Sequence, residues 1–145
     1  VCCFILGDGP AKSNLIEMAK GKKVIFLGAI HPNLVLPYLS KYKLLVVPSI
    51  YGDGFPNVII EAMCVGTPVI GTRSAGIPDI IKDNHSGLIV EAGDEAKLQE
   101  SINRLLASPD KLDLMSKNCL IEVQDYYWDS IGLQFEKMLH RVLNI

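Results

Sequence analysis

The chain of 145 residues is 49% hydrophobic with a formal net charge of −2, which excludes a disordered polar segment and offers no basic surface to nucleic acid or acidic lipid. Its length suits one domain, residues 1–145, around a single core, and is too short for two ordinary domains. No apolar run reaches the roughly 18 residues that a bilayer span requires.

In chain order, residues 1–6 (VCCFIL) read as a buried strand, residues 7–10 (GDGP) as a turn, and 12–19 as a helix. An all-apolar strand follows at 24–27, then a loop at 28–33, a short helix at 34–41 and a strand at 44–48 (LLVVP). Beyond a loop at 49–55, the pattern predicts an apolar helix over 56–65, a strand at 68–71, a short helix at 77–82 and a last strand at 87–90. Continuous apolar strands separated by helices indicate a parallel sheet covered on both faces, which is a doubly wound, Rossmann-like α/β domain.

The last third changes character. Residues 94–106 form an amphipathic helix with Leu98, Ile102, Leu105 and Leu106 on one face. Ser108 and Pro109 then stand in the favoured cap and first-turn positions of a new helix. A stripe of Trp128, Ile131, Phe135, Met138, Leu139 and Val142 recurs at helical spacing and is assigned to core or interdomain packing. The opening strand shows no initiator methionine, basic lead or cleavage site, so the chain is expected to be cut from a longer protein.

Four cysteines occur, Cys2, Cys3, Cys64 and Cys119, without zinc-ligand spacing, and the adjacent pair cannot easily bridge. Cys2 and Cys3 are expected to be buried thiols inside their apolar run, and reduced thiols suit a cytoplasmic compartment. His31, His85 and His140 show no nucleophile or metal-ligand partner and receive no catalytic role.

Two loops resemble each other, Gly7-Asp8-Gly9-Pro10 and Gly52-Asp53-Gly54-Phe55. Each follows a strand and opens a helix, where glycine admits close approach and free N–H groups attract an anion. The third glycine of a dinucleotide fingerprint is absent, with Lys12 in its place after the first loop. A tight strand-to-helix turn explains Gly7–Pro10 equally well. After the second loop the helix is apolar all round except for Glu61. A carboxylate there must be hydrogen-bonded or face a wet cleft, either gripping the two hydroxyls of a ribose or pairing with a buried Arg or Lys. Asp53 is either a turn or cap residue or a contact for sugar hydroxyls.

These residues carry a resemblance. PSIYGDGFPNVIIEAMCVGTPVIGTRSAGIPDII, residues 48–81, resembles the signature of the retaining glycosyl transferases group 1 family, with two acidic residues eight apart, the second opening Glu-Ala-Met. Glu61 matches the second, and Asp53 stands where the family usually has Glu. FILGDGP at 4–10, VIFLG at 24–28 and SGLIVEAGD at 86–94 match further landmarks in the same order, covering nearly the whole chain. Other departures are Ala75 in place of a common Gly-Gly pair, Asp79 for Glu, and Lys43 for Asp.

The resemblance implies the C-terminal, donor-binding half of a GT-B fold with extra C-terminal helices, its acceptor-binding N-terminal domain missing. It implies transfer of a sugar from a UDP-, GDP- or ADP-linked donor to an acceptor hydroxyl with retention, in cell-surface polysaccharide or glycolipid synthesis. Glu61 would take the ribose hydroxyls and Asp53 the donor sugar. The backbone around Gly54, Phe55, Pro56 and Asn57 would hold pyrophosphate or sugar. Gly28, Ala29 and Ile30 would border the base, and Gly7 and Gly9 complete the substrate-binding set. Neither cofactor nor metal is expected, and no Asp-x-Asp occurs. The family's cationic clamp, an Arg and a Lys-Gly, would precede residue 1, so the piece alone is expected to be inactive, while Lys12 and Arg73 are assigned as solvated surface charges. The complete protein would work in the cytoplasm or at the inner face of the cell membrane, with peripheral attachment compatible and no nucleic-acid partner. A nucleotide-sugar epimerase of the same fold and a non-catalytic binding module are the alternatives.

Overall fold

A computed structural model of the chain describes residues 1–51 and 54–143. Two compact units make it up, Val1–Pro37 and Tyr38–Ile145, and in each the strands pair in parallel. That is the α/β organisation predicted from apolar strands alternating with helices.

In the first unit β1 (Cys3–Leu6) pairs with β2 (Val24–Gly28), with α1 (Lys12–Met18) between them in sequence. The register runs from Cys3 opposite Val24 to Ile5 opposite Phe26, then slips by one so that Leu6 faces Gly28. Cys2 and Cys3 are exposed, which corrects the expectation that they are buried. A unit this short closes too little surface to cover both faces of a strand pair, and α1 has no buried residue.

Helix α2 (Pro32–Leu39) starts two residues before the predicted boundary. Pro32 supplies a preset φ where the N–H needs no partner. Pro37, inside the helix, removes one backbone donor, and the helix ends two residues later.

In the second unit β3 (Leu45–Val47), β4 (Val69–Thr72) and β5 (Gly87–Val90) lie in that order, with Leu45, Val69 and Gly87 aligned. Every residue of the central strand β4 is buried. Helices α3 (Asn57–Cys64) and α4 (Ile77–Ile80) follow β3 and β4. α5 (Glu95–Leu106), α6 (Pro109–Glu122), a 3₁₀ turn at Val123–Tyr126 and α7 (Trp128–Leu143) complete the chain. Ile70, Leu88, Val90, Leu105, Leu112 and Met115 form the core, each large side chain worth about 1.5–3 kcal/mol when fully buried. A Cβ on Gly87 would sit 2.2 Å from the Val69 carbonyl oxygen, and one on Gly71 2.5 Å from Ile77 Cγ2. Glycine at 87 lets the strands close, and glycine at 71 lets α4 lie down on β4.

Two end-of-chain expectations change. Asp94 caps α5 through Lys97 N at 2.8 Å, whereas Ser108 makes no side-chain cap to α6. The Ser108 carbonyl instead accepts from Lys111 N and Leu112 N, both at 3.1 Å. The final stripe is helical as predicted, but α7 contains no buried residue, with Trp128 87% and Phe135 56% exposed. It is therefore not core. Tyr127, extended at φ −72 and ψ 147, separates α7 from the 3₁₀ turn. Among the described residues, no helix is long and apolar enough to cross a membrane.

Candidate ligand-binding site

Parallel strands leave their unpaired ends and helix starts on one edge, where open α/β sheets bind ligands. At the carboxyl ends of β3 and β4 lies a hollow of about 110 Å³, lined by Ser49, Tyr51, Gly54, Phe55, Pro56, Ala75 and Ile77. The Thr72 hydroxyl donates to the Ser49 carbonyl at 2.6 Å and fastens the two strand ends together. Gly54 takes φ +102, and its carbonyl accepts from Gly76 N at 3.2 Å. Gly76 must be small because a Cβ there would lie 3.1 Å from Phe55 Cδ2 and 3.3 Å from the Gly54 carbonyl. Ala75, where the family pattern often has glycine, occupies the left-handed region at φ +44 on the rim.

Helix α3 begins beside this hollow. Pro56 precedes it in an extended conformation, and among the described residues no side chain caps it. Among the described residues, the N–H groups of Asn57 and Val58 find no acceptor. N–H groups without an acceptor among the described residues, and the positive end of the helix dipole, thus lie next to the rim. Glu61 sits one turn further on and is half-buried. Among the described residues no hydrogen bond or ion pair engages its carboxylate, so the Arg or Lys partner of the alternative reading is not found among them. Burial, then the Glu61 charge, pushes the Cys64 thiol above its usual range. Asp53, with Gly52, lies outside the described residues.

The remaining candidates belong to the first unit. Gly7 N donates to the Gly28 carbonyl at 2.8 Å, bringing those two glycines together with φ +120 and +70. Gly9 N donates to Asp8 Oδ1 at 2.9 Å, and Lys12 Nζ lies 2.7 Å from Asp8 Oδ2. The Lys12 hydrogen bond, then that of Gly9, holds the Asp8 carboxyl below its usual range. Lys12 is therefore paired. No atom lies within 4 Å of a Cβ built at Gly7 or Gly9, so Gly7 is required by its dihedral angle and space alone does not require Gly9. Ala29 is exposed and Ile30 half-buried.

Sequence reasoning missed Ser49, Thr72, Gly76 and Tyr126 at the hollow of the second unit. The Tyr126 ring lies 5.9 Å from that of Phe55, and its hydroxyl donates to the Asp79 carbonyl at 3.1 Å. Nothing in the local pattern marks Tyr126, whereas the polar end of the otherwise apolar β4 could have drawn attention to Thr72. Arg73 pairs at the surface with Glu91 at 2.8 Å, in keeping with a solvated charge. His85 lies 3.3 Å from Glu122, which also pairs with Lys82. Among the described residues no group of three His, Cys, Asp or Glu side chains gathers as a metal site.

Two other hollows compete. One of about 300 Å³ includes Lys43, Gly66, Thr67 and Asp113, at the amino ends of β3 and β4. Another of about 160 Å³ lies between Ile50, Glu91 and Leu98. Size favours the first of these two, and the second, lined by Pro48, Thr72 and Val90, also lies at strand carboxyl ends, but the start of α3 favours the hollow beside Phe55.

Comparison with known proteins agrees with this fold. Residues 1–108 match the family model described as glycosyl transferases group 1. The N-acetyl-alpha-D-glucosaminyl L-malate synthase of Bacillus anthracis is 28% identical over 145 residues, covering 97% of this chain and 37% of its own. Sucrose-phosphate synthase of Thermosynechococcus elongatus superposes with a TM-score of 0.82 at 29% identity, over 97% of this chain and 38% of that one. Anabaena Alr3699/HepE, solved in complex with UDP-glucose, superposes with a TM-score of 0.83 at 22% identity, over 97% and 41%. The chain thus spans about two fifths of the length of these proteins.

Proposed function

This chain belongs to the glycosyl transferases group 1 family, and we propose that it is the donor-binding half of a GT-B enzyme transferring a sugar from a nucleotide sugar to an acceptor hydroxyl with retention. The observation that carries the reading is Glu61, a half-buried carboxylate with no cation beside it among the described residues, in the helix whose uncapped start borders the hollow. An ionised carboxylate accepts from two vicinal hydroxyls without needing a donor of its own. Glu61 would hold the ribose and Asp53 the transferred sugar. The amides around Gly54 and Phe55, with Pro56 and Asn57 at the start of α3, would face pyrophosphate or sugar. Gly28, Ala29 and Ile30 would border the base, with Gly7 and Gly9 nearby in sequence to that strand pair.

In the reaction the acceptor hydroxyl oxygen bonds to the anomeric carbon as the bond to phosphate breaks, the nucleoside diphosphate leaves with the electron pair, and the hydroxyl proton passes to the departing phosphate oxygen. The protein supplies placement and stabilisation of the phosphate charge. Helix α3 contributes donors, but among the described residues no charged side chain lines the hollow. Its volume of about 110 Å³ is below the ~300–1,000 Å³ of sites that enclose a drug-sized ligand. Residues 1–145 therefore hold part of the donor, and cations elsewhere complete the clamp without a metal. On this reading the acceptor belongs to cell-surface polysaccharide or glycolipid synthesis at the cytoplasmic side of the membrane.

The test is titration of the complete protein with UDP, GDP, ADP and their glucose conjugates, with Glu61→Ala as control. UDP-glucose comes first because it occupies the Anabaena relative. Saturable binding of one of them, weakened by Glu61→Ala, supports the reading. Binding that Glu61→Ala leaves unchanged, or none at millimolar concentrations, overturns it.

A further inference from the structure

Residues 125–127 read Asp-Tyr-Tyr, and neither tyrosine belongs to a motif that sequence analysis singles out. The fold separates them. Tyr127 and its neighbour Trp128 are exposed, whereas Tyr126 is half-buried and makes two directed contacts.

The hollow has two walls in the second unit. Tyr51, Gly54, Phe55 and Pro56 form one, and Ala75 and Ile77 the other. Tyr126 touches both supports. Its ring lies 5.9 Å from that of Phe55 at an interplanar angle of 47°, within the range of favourable aromatic pairs. Its hydroxyl donates at 3.1 Å to the carbonyl of Asp79, on the same single-turn helix, α4, as Ile77. Among the described residues, a 3.2 Å bond from Gly76 N to the Gly54 carbonyl and the bond from Thr72 to Ser49 also join the two sides.

The tyrosine is itself anchored. Glu122, four residues earlier, accepts from Lys82 and faces His85 at 3.3 Å, tying the end of α6 to the segment after α4. Burial, then the Asp125 carboxylate, pushes the Tyr126 hydroxyl above its usual range, so it remains a proton donor at neutral pH.

We propose that Tyr126 is a positioning residue for donor binding: one side chain pins Phe55 and α4 together and so sets the width of the hollow. The inference rests on the donor-site reading above. It links the helical end of the chain to the ligand without Tyr126 itself lining the hollow.

Steady-state kinetics of the complete protein tests this, using whichever of UDP-, GDP- or ADP-glucose the wild type turns over. Tyr126→Ala should raise the donor KM about fivefold, as loss of an aromatic pair implies, and leave the acceptor KM unchanged. Tyr126→Phe should recover most of the loss, because its ring stays against Phe55. Should Tyr126→Ala fail to fold, Tyr126→Leu, with neither aromatic face nor hydroxyl, carries the same expectation. Tyr127→Ala should match the wild type. An unchanged donor KM, or donor and acceptor KM rising together, overturns the positioning role while the donor site stands. A wild type that uses no nucleotide sugar removes the donor-site reading and this inference with it.

Discussion

The Thr72 hydroxyl, on a residue only 3% exposed, donates at 2.6 Å to the carbonyl of Ser49, 23 residues earlier. This bond joins the end of β4 to the end of β3 where the candidate site begins. Replacing Thr72 by Val keeps the shape and strands the carbonyl. Thr72→Val should cost about 1–3 kcal/mol and lower Tm on the order of 5 °C, with weaker binding of whichever nucleotide the proposed donor site takes. A melt indistinguishable from wild type would show that the bond contributes nothing.

Glu61→Gln separates binding from stability. With no described ion-pair partner to abandon, the variant should melt at or slightly above the wild-type temperature. Charge-assisted hydrogen bonds worth ~1.5–3 kcal/mol imply a loss of nucleoside diphosphate affinity on the order of tenfold or more. Calorimetry with UDP and its 2′-deoxy analogue checks the assignment, because only the wild type should discriminate between them. A large fall in Tm would instead reveal a structural role.

Two glycine substitutions should fail differently. In Gly87→Ala the new Cβ would meet the Val69 carbonyl oxygen at 2.2 Å, backbone against backbone, so a loss of about 3 kcal/mol or more is expected. In Gly54→Ala no atom lies within 4 Å, but φ +102 imposes strain of about 1–3 kcal/mol. That strain sits in the site loop, so ligand affinity should suffer more than global unfolding. Urea titration beside ligand titration reads both.

Cys119 offers a pH test. Burial pushes its thiol from 9.0 up to about 12, and the thiol donates to the Ser86 carbonyl at 3.1 Å. A raised folded-state value means that its contribution is complete below pH 9. Above that, the unfolded thiol ionises while the folded one does not, so stability falls as pH rises toward about 12. The full loss is on the order of 4 kcal/mol. Cys119→Ala should be less stable at neutral pH yet lose less stability between pH 9 and 11. In thiol labelling at pH 8, the exposed Cys2 and Cys3 should react first and Cys119 last. Early modification of Cys119 would contradict its burial.

Much of the fold was legible because burial leaves periodicity. The strand predicted at 87–90 matches β5 at both ends, and the helix predicted at 56–65 contains α3. At the site, the reading of 48–81 reached Gly54, Phe55 and Pro56, which line the hollow, and Glu61, which has no described partner. The loop's glycine and the lone carboxylate are visible because a flexible backbone and an uncompensated charge stand out in an apolar run. Cys2 and Cys3 misled because an apolar run states a preference for burial without stating whether a covering layer exists. The α7 stripe showed its helical period correctly, but period alone does not say what, if anything, packs on it.

Local chemistry alone therefore determined the element order and the parallel α/β class, since each depends on neighbours within a few positions, whereas the family and its acidic pair eight residues apart were read from the resemblance of residues 48–81 to a known signature. Only the tertiary structure decided that Thr72 closes on Ser49, that Glu122 holds Lys82 and His85, and that Tyr126 returns to Phe55 across 71 positions of chain. Such contacts are selected by the packing of whole elements and leave no periodic trace. Two of them, from Thr72 to Ser49 and from Tyr126 to Phe55, end on residues that line the hollow.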